Sequence, residues 1–153
     1  MIFTRERVAE GLRNVAGRDQ HKRAAAELLI QHGTWVEAWS ADGELSPKSA
    51  NNVGQFTTQV MAPTPGDLGT PFVNIGWARM AEHLQTAGHT YSKTEVKMFR
   101  LAASLWAGLP VNLQDVTTGL DPEHSRRVAE TVIAAVWPAG SSGVQAPAQR
   151  AAS

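Results

Sequence analysis

The sequence predicts a mainly α fold, a compact bundle of five to six helices, with residues 55–75 as the place for a short β-hairpin. Three observations carry that prediction. Apolar residues recur at three- and four-residue spacing through most of the chain. Residues with a side-chain oxygen stand just before these runs, at Thr4, Asp19, Ser92, Asn112 and Asp121. Glycine or proline closes them, at Gly17, Gly33, Gly108, Gly119 and Pro138.

Taken in order, Thr4 caps a helix over residues 5–15, with Val8, Leu12 and Val15 on one face. Asp19 caps a second through residue 31, whose stripe is Ala24, Ala25, Leu28 and Leu29. Gly33 stands where a left-handed C-terminal cap belongs. Thr34-Trp35-Val36-Glu37 has the form of a capping box, in which the threonine oxygen and the glutamate each satisfy an unpaired amide. It predicts a short helix carrying Trp35 and Trp39, against a strand reading that the β-favouring Thr, Trp and Val support. Residues 40–52 are polar and aperiodic, and read as a loop.

Residues 55–61 and 72–75 are strand candidates, separated by Pro63, Pro65, Gly66 and Gly69. They make either a hairpin with a long tip or two edge segments lying on the helices. From Trp77 the period becomes helical, with Trp77, Met80, Ala81 and Leu84 on one face and Gly88 at the end. Ser92-Lys93-Thr94-Glu95 is a second capping box and opens a helix to residue 107. Met98, Leu101, Ala102 and Leu105 line one face of it, and Phe99, Ala103 and Trp106 the next. So wide an apolar arc belongs to a central helix packed on more than one side, the last helix among its neighbours. Asn112 caps one or two turns holding Leu113 and Val116. Asp121-Pro122 starts the last helix, with Val128, Val132, Ala135 and Val136 as its expected buried stripe. Residues 1–138 therefore read as a single helical domain. Residues 139–153, rich in Gly, Ser, Ala, Pro and Gln, read as a disordered tail.

The chain has 153 residues, enough to bury a core without metals or disulfides. Its 14 basic and 14 acidic residues balance, which excludes a strongly basic nucleic-acid coat and a polyacidic mimic. It has no cysteine, so thiolate chemistry and disulfides are excluded. Charge at Arg5, Glu6 and Arg7 stands where a signal peptide needs apolar residues, and no run is long enough to span a membrane. A soluble, cytoplasmic protein without membrane contact is expected.

Nothing in the sequence matches a catalytic motif. His21, His32, His83, His89 and His124 fall into no zinc spacing, and Gly66 and Gly69 make no phosphate loop. Asp121, Glu123 and His124 cluster at the start of the last helix. The acids there read as an N-cap and as partners of the helix dipole rather than as a catalytic or metal-binding set. No enzyme activity, cofactor or metal is expected.

Five tryptophans are many for this length. Trp77 and Trp106 fall within apolar stripes and read as core. Trp35, Trp39 and Trp137 lie near element ends and are the candidates for a partner surface, since tryptophan is enriched at binding hot spots. An alternative lies in residues 111–137, where a short helix, a turn and a longer helix suggest a helix-turn-helix. Arg126 and Arg127 would then face DNA, although Asp121 and Glu123 bring negative charge to the start of the reading helix.

Four pieces of the chain carry a resemblance. They are Ala26-Glu27-Leu28-Leu29 leading to His32-Gly33-Thr34-Trp35, Val73-Asn74-Ile75-Gly76-Trp77, Leu101-Ala102-Ala103-Ser104-Leu105, and Val111-Asn112-Leu113 leading to Gly119-Leu120-Asp121. Over residues 24–137 the chain resembles a loose group of small proteins from actinobacteria and their mobile elements. Gly76 departs from the acidic residue expected before the tryptophan in that group. The resemblance implies no activity. The expectation is a non-enzymatic accessory or protein-binding module whose partner is another protein or a second copy of itself, with a DNA-binding regulator as the alternative.

Overall fold

The computed structural model describes residues 4–41, 58–61, 72–87 and 91–137. The expected tail at 139–153, all of the loop expected at 40–52 beyond Ala41, and the helix end at Gly88 lie outside the described residues; Ser40 and Ala41 belong to a helix instead of the loop. Seven helices and two strands are present among those described: α1 (Arg5–Ala16), α2 (Gln20–His32), α3 (Thr34–Ala41), β1 (Thr58–Met61), β2 (Phe72–Ile75), α4 (Trp77–Ala87), α5 (Lys93–Ala107), α6 (Leu113–Thr117) and α7 (Pro122–Val136). The mainly α bundle is the fold. Its count reaches seven because both short segments, α3 and α6, are helical.

The caps explain where the helices begin. Thr4 Oγ1 accepts from the Arg7 amide at 3.2 Å, and Asp19 Oδ1 from the Lys22 amide at 3.0 Å. Asn112 Oδ1 accepts from the Gln114 and Asp115 amides. At Ser92 the capping box is complete: Ser92 Oγ accepts from the Glu95 amide at 3.1 Å, and Glu95 Oε2 accepts from the Ser92 amide at 2.9 Å. The box expected at Thr34 differs. Thr34 is already the first helical residue, and the Glu37 amide donates to the Gly33 carbonyl at 2.8 Å. Gly33, with φ +82°, ends α2 and starts α3 at once, leaving no separate capping residue between them.

Two helices organise the interior. α2 touches α1, α3, α5 and α7, while α5 touches α2, α4, α6 and α7. Ala24, Ala25 and Ala26 on α2 and Ala102 and Ala103 on α5 are all buried. Small side chains on both helices let neighbouring backbones approach closely. Larger residues fill the space around them: Val8 and Leu12 from α1, Leu28 and Leu29 from α2, Met80 from α4, and Met98 and Phe99 from α5.

β1 and β2 pair antiparallel, with Thr58 opposite Ile75 and Met61 opposite Phe72. The pair is not isolated. β2 lies against α1 and buries Val73 in the core. That contact supplies what a two-stranded ribbon lacks alone in water.

The last helix departs from expectation twice. It packs chiefly on α2 and only slightly on α5. Its buried stripe is Val128, Thr131 and Ala135, whereas Val132 and Val136 are exposed. Tethers at both ends fix this roll. The Arg127 guanidinium donates to the Gln31 carbonyl at 2.6 Å, and Gln20 Nε2 donates to the Ala134 and Ala135 carbonyls at 3.3 and 2.6 Å. Thr131 enters the interior without leaving its hydroxyl unpaired, because Oγ1 donates to the Arg127 carbonyl at 2.7 Å.

Candidate functional site

Among the described residues, the outer face of α7 gathers most of the exposed large hydrophobic side chains. Four large hydrophobic residues are exposed among the described residues, and all lie on the last two helices: Leu113 at 59%, Val132 at 40%, Ile133 at 45% and Val136 at 67%. Ala129, Val132, Ile133 and Val136 follow one another at i, i+3, i+4 and i+7, which places them on one face of the helix. Pro122 and Ser125 extend the same face toward its start, so the stripe carries no charge along its length.

One edge of the stripe is charged but neutralised within the helix. Arg126 donates to Glu123 at 2.6 Å and to Glu130 at 2.7 Å. Arg127 reaches Glu123 at 3.2 Å. The hydrogen bonds that Arg126 and Arg127 donate hold the Glu123 carboxyl below its usual pKa, and those that Arg126 donates to Glu123 and Glu130 raise its own. At the helix start, Asp121 Oδ1 accepts from the His124 amide at 2.9 Å, and Oδ2 lies 2.7 Å from His124 Nδ1. These two bonds lower the Asp121 pKa, the amide contributing first. The acids at this helix start are thus engaged as a cap and as arginine partners. Among the described residues, no group of three His, Asp or Glu side chains is placed to hold a metal ion.

Behind the stripe, α7 and α2 run antiparallel and enclose a cleft of about 500 Å³. Trp137 closes one end of it. The indole Nε1 of Trp137 is buried and has no hydrogen-bond partner. Arg18 and Arg23 reach the cleft from the start of α2.

The sequence-level candidates fall in different places. Trp35 is corrected: it is 1% exposed and belongs to the core. Its Nε1 donates to the Glu95 carbonyl at 3.1 Å, and its ring packs against Tyr91 and Phe99 with centroids 4.9 and 5.3 Å away. Burial leaves it no surface to offer a partner. The side chain of Trp39 lies outside the described residues. Trp137 stands at the cleft, away from Trp35. Arg126 and Arg127 lie on α7, but both are bonded to glutamates, and Arg127 also tethers the helix to α2. Trp77 is in the core as expected, and Trp106, only partly buried, packs against it with ring centroids 5.3 Å apart.

Sequence reasoning missed the exposed role of Val132, Ile133 and Val136. The signal was available, since with Val128 these residues cover more of the helix circumference than one contact can bury. Arg18 and Arg23 carried no signal, because their place beside the cleft depends on where the far end of α7 lands.

Fold and surface together define a mainly α helical-bundle protein with an apolar helix face left exposed among the described residues. None of its described helices is long and apolar enough to cross a membrane. Comparison with family models, curated proteins and solved structures finds no match to the chain.

Proposed function

We propose that this chain is a non-enzymatic protein-binding module that pairs with a second copy of itself through the outer face of α7. The exposure of Val132, Ile133 and Val136 on one uncharged face carries this reading. An apolar face open to water is stabilised when another surface covers it. The chain's own segment after Trp137 is poorly suited to cover it, since residues 138–153 contain one branched aliphatic side chain, Val144.

Charge favours a copy as the occupant. The chain has formal net charge +0, so two copies meet without net repulsion. In an antiparallel pairing centred on Ala129, Ser125 faces Ile133 of the other copy and Pro122 faces Val136. Small Ala129 at the centre admits close approach of the two backbones. Antiparallel pairing also brings like edges of the stripe together. Arg126 of each copy then lies alongside Glu130 of the other, with opposite charges in register. Capture of DNA by Arg126 and Arg127 is less well supported, because both would have to leave their glutamates.

The stripe is about 22 Å long over the 15 residues from Pro122 to Val136, short of a standard interface, so pairing in the micromolar range is expected. Sedimentation equilibrium tests it. The protein should move from monomer toward dimer as concentration rises through about 1–100 µM. Val136→Lys should keep it monomeric with unchanged circular dichroism. Arg126→Glu should weaken the dimer, and adding Glu130→Arg should restore it. A monomer throughout that range, or a dimer indifferent to Val136→Lys, overturns the reading.

A further inference from the structure

We infer that the cleft between α2 and α7 binds a small organic anion, a carboxylate or phosphate joined to a flat apolar body. The site is distinct from the apolar self-pairing stripe, because Val132, Ile133 and Val136 do not line it, although Glu130 borders both. Its volume of about 500 Å³ falls in the range of small-molecule sites.

The charge of the cleft is positive once existing pairs are counted. Glu27 and Glu130 line it, but each is already engaged. Arg13 forks onto Glu27 with contacts of 2.7 and 3.2 Å, and Arg126 holds Glu130 at 2.7 Å. Arg18 and Arg23 have no ion-pair partner among the described residues. Two unpaired guanidiniums beside neutralised acids select an anion, and their planar donor forks suit carboxylate or phosphate oxygens. A smaller recess of about 290 Å³, bounded by Arg13, Gly17, Arg23 and Glu27, adjoins the cleft and shares Arg23 and Glu27 with it.

The remaining wall specifies the rest of the ligand. Ala24, Leu28, Ala134 and Trp137 give an apolar surface. A bare inorganic anion would leave that surface wet. A flat apolar body lying on the wall, with its anionic head toward Arg18 and Arg23, covers it.

The test follows the indole N–H resonances of the nitrogen-labelled full chain by NMR, with the Trp137 signal identified as the one lost in Trp137→Phe. Naphthoate and naphthyl phosphate are titrated separately, so that the pair also distinguishes a carboxylate from a phosphate ligand. Naphthylmethanol and inorganic phosphate are the controls. The expected result is a saturable shift of the Trp137 resonance with at least one anionic probe, and affinity about tenfold or more weaker for both controls. Arg18→Gln combined with Arg23→Gln should weaken binding about tenfold or more, with circular dichroism unchanged. No saturable shift at millimolar probe, equal binding of either control, or indifference to the arginine substitutions overturns the inference. Because these arginines lie off the stripe, the double variant should still dimerise, and failure here is distinct from failure of the self-pairing reading.

Discussion

His32, at the end of α2, sits where charge is unwelcome. Its Nε2 is buried without a hydrogen-bond partner, and its ring meets that of His124 edge-on at 5.2 Å. Burial is the first cause of its lowered pKa, followed by the nearby His124 and Arg127, with Glu95 opposing. The unfolded chain takes up a proton near pH 6.5, whereas the folded one resists it. The stability contributed by neutral His32 is therefore present above about pH 6.5 and is lost as pH falls toward the depressed folded value. Urea midpoints measured between about pH 5 and pH 7.5 should fall on acidification, and His32→Gln should flatten that fall. Equal slopes for the two proteins would show that another group titrates. Trp35 offers a second measurement at this scale. Trp35→Ala should cost about 3–5 kcal/mol in denaturant unfolding, as large buried aromatics do. Trp35→Phe retains most of the packing but leaves the Glu95 carbonyl without its indole donor, for a cost of about 1–2 kcal/mol.

At the scale of the element, local chemistry decided the helix starts. Each capping oxygen acts on amides two or three residues away, so Ser92, Asp19 and Asn112 could be read without knowing what packs where. Ser92→Ala should cost about 1 kcal/mol and leave the core unchanged, which thermal unfolding would report. The burial of Trp35 was not legible in the same way. Its hydrogen-bond acceptor, the Glu95 carbonyl, lies 60 residues along the chain. The roll of α7 was hidden for a related reason. Val128 and Val132 are equally apolar, and what separates inside from outside is the reach of Gln20 and Arg127 to backbone carbonyls on the facing helix. Periodicity counted the apolar residues of α7 correctly, but the facing helix determined which of them meet water.

At the scale of the molecule, the bundle is built around α2, which has neighbours on several sides. Arg127→Ala removes a charged hydrogen bond to the end of α2, and a loss of about 1.5–3 kcal/mol is expected in denaturant unfolding. A loss below about 0.5 kcal/mol would mean that the tether contributes no more than an ordinary surface contact. The self-pairing face and the α2–α7 cleft depend on the same roll of α7. Turning the helix to bury Val132 and Val136 would remove the stripe and displace Trp137 from the cleft.

The two clasps between α2 and α7, one near each end, also govern how the molecule opens. Gln20 holds one end and Arg127 the other, so neither helix can fray toward its neighbour's middle without first releasing a clasp. Deuterium uptake at the Leu28 and Val128 amides should then proceed at one shared rate, as members of a single cooperative unit. The ribbon packs on α1 rather than on this pair and should exchange on its own, faster schedule.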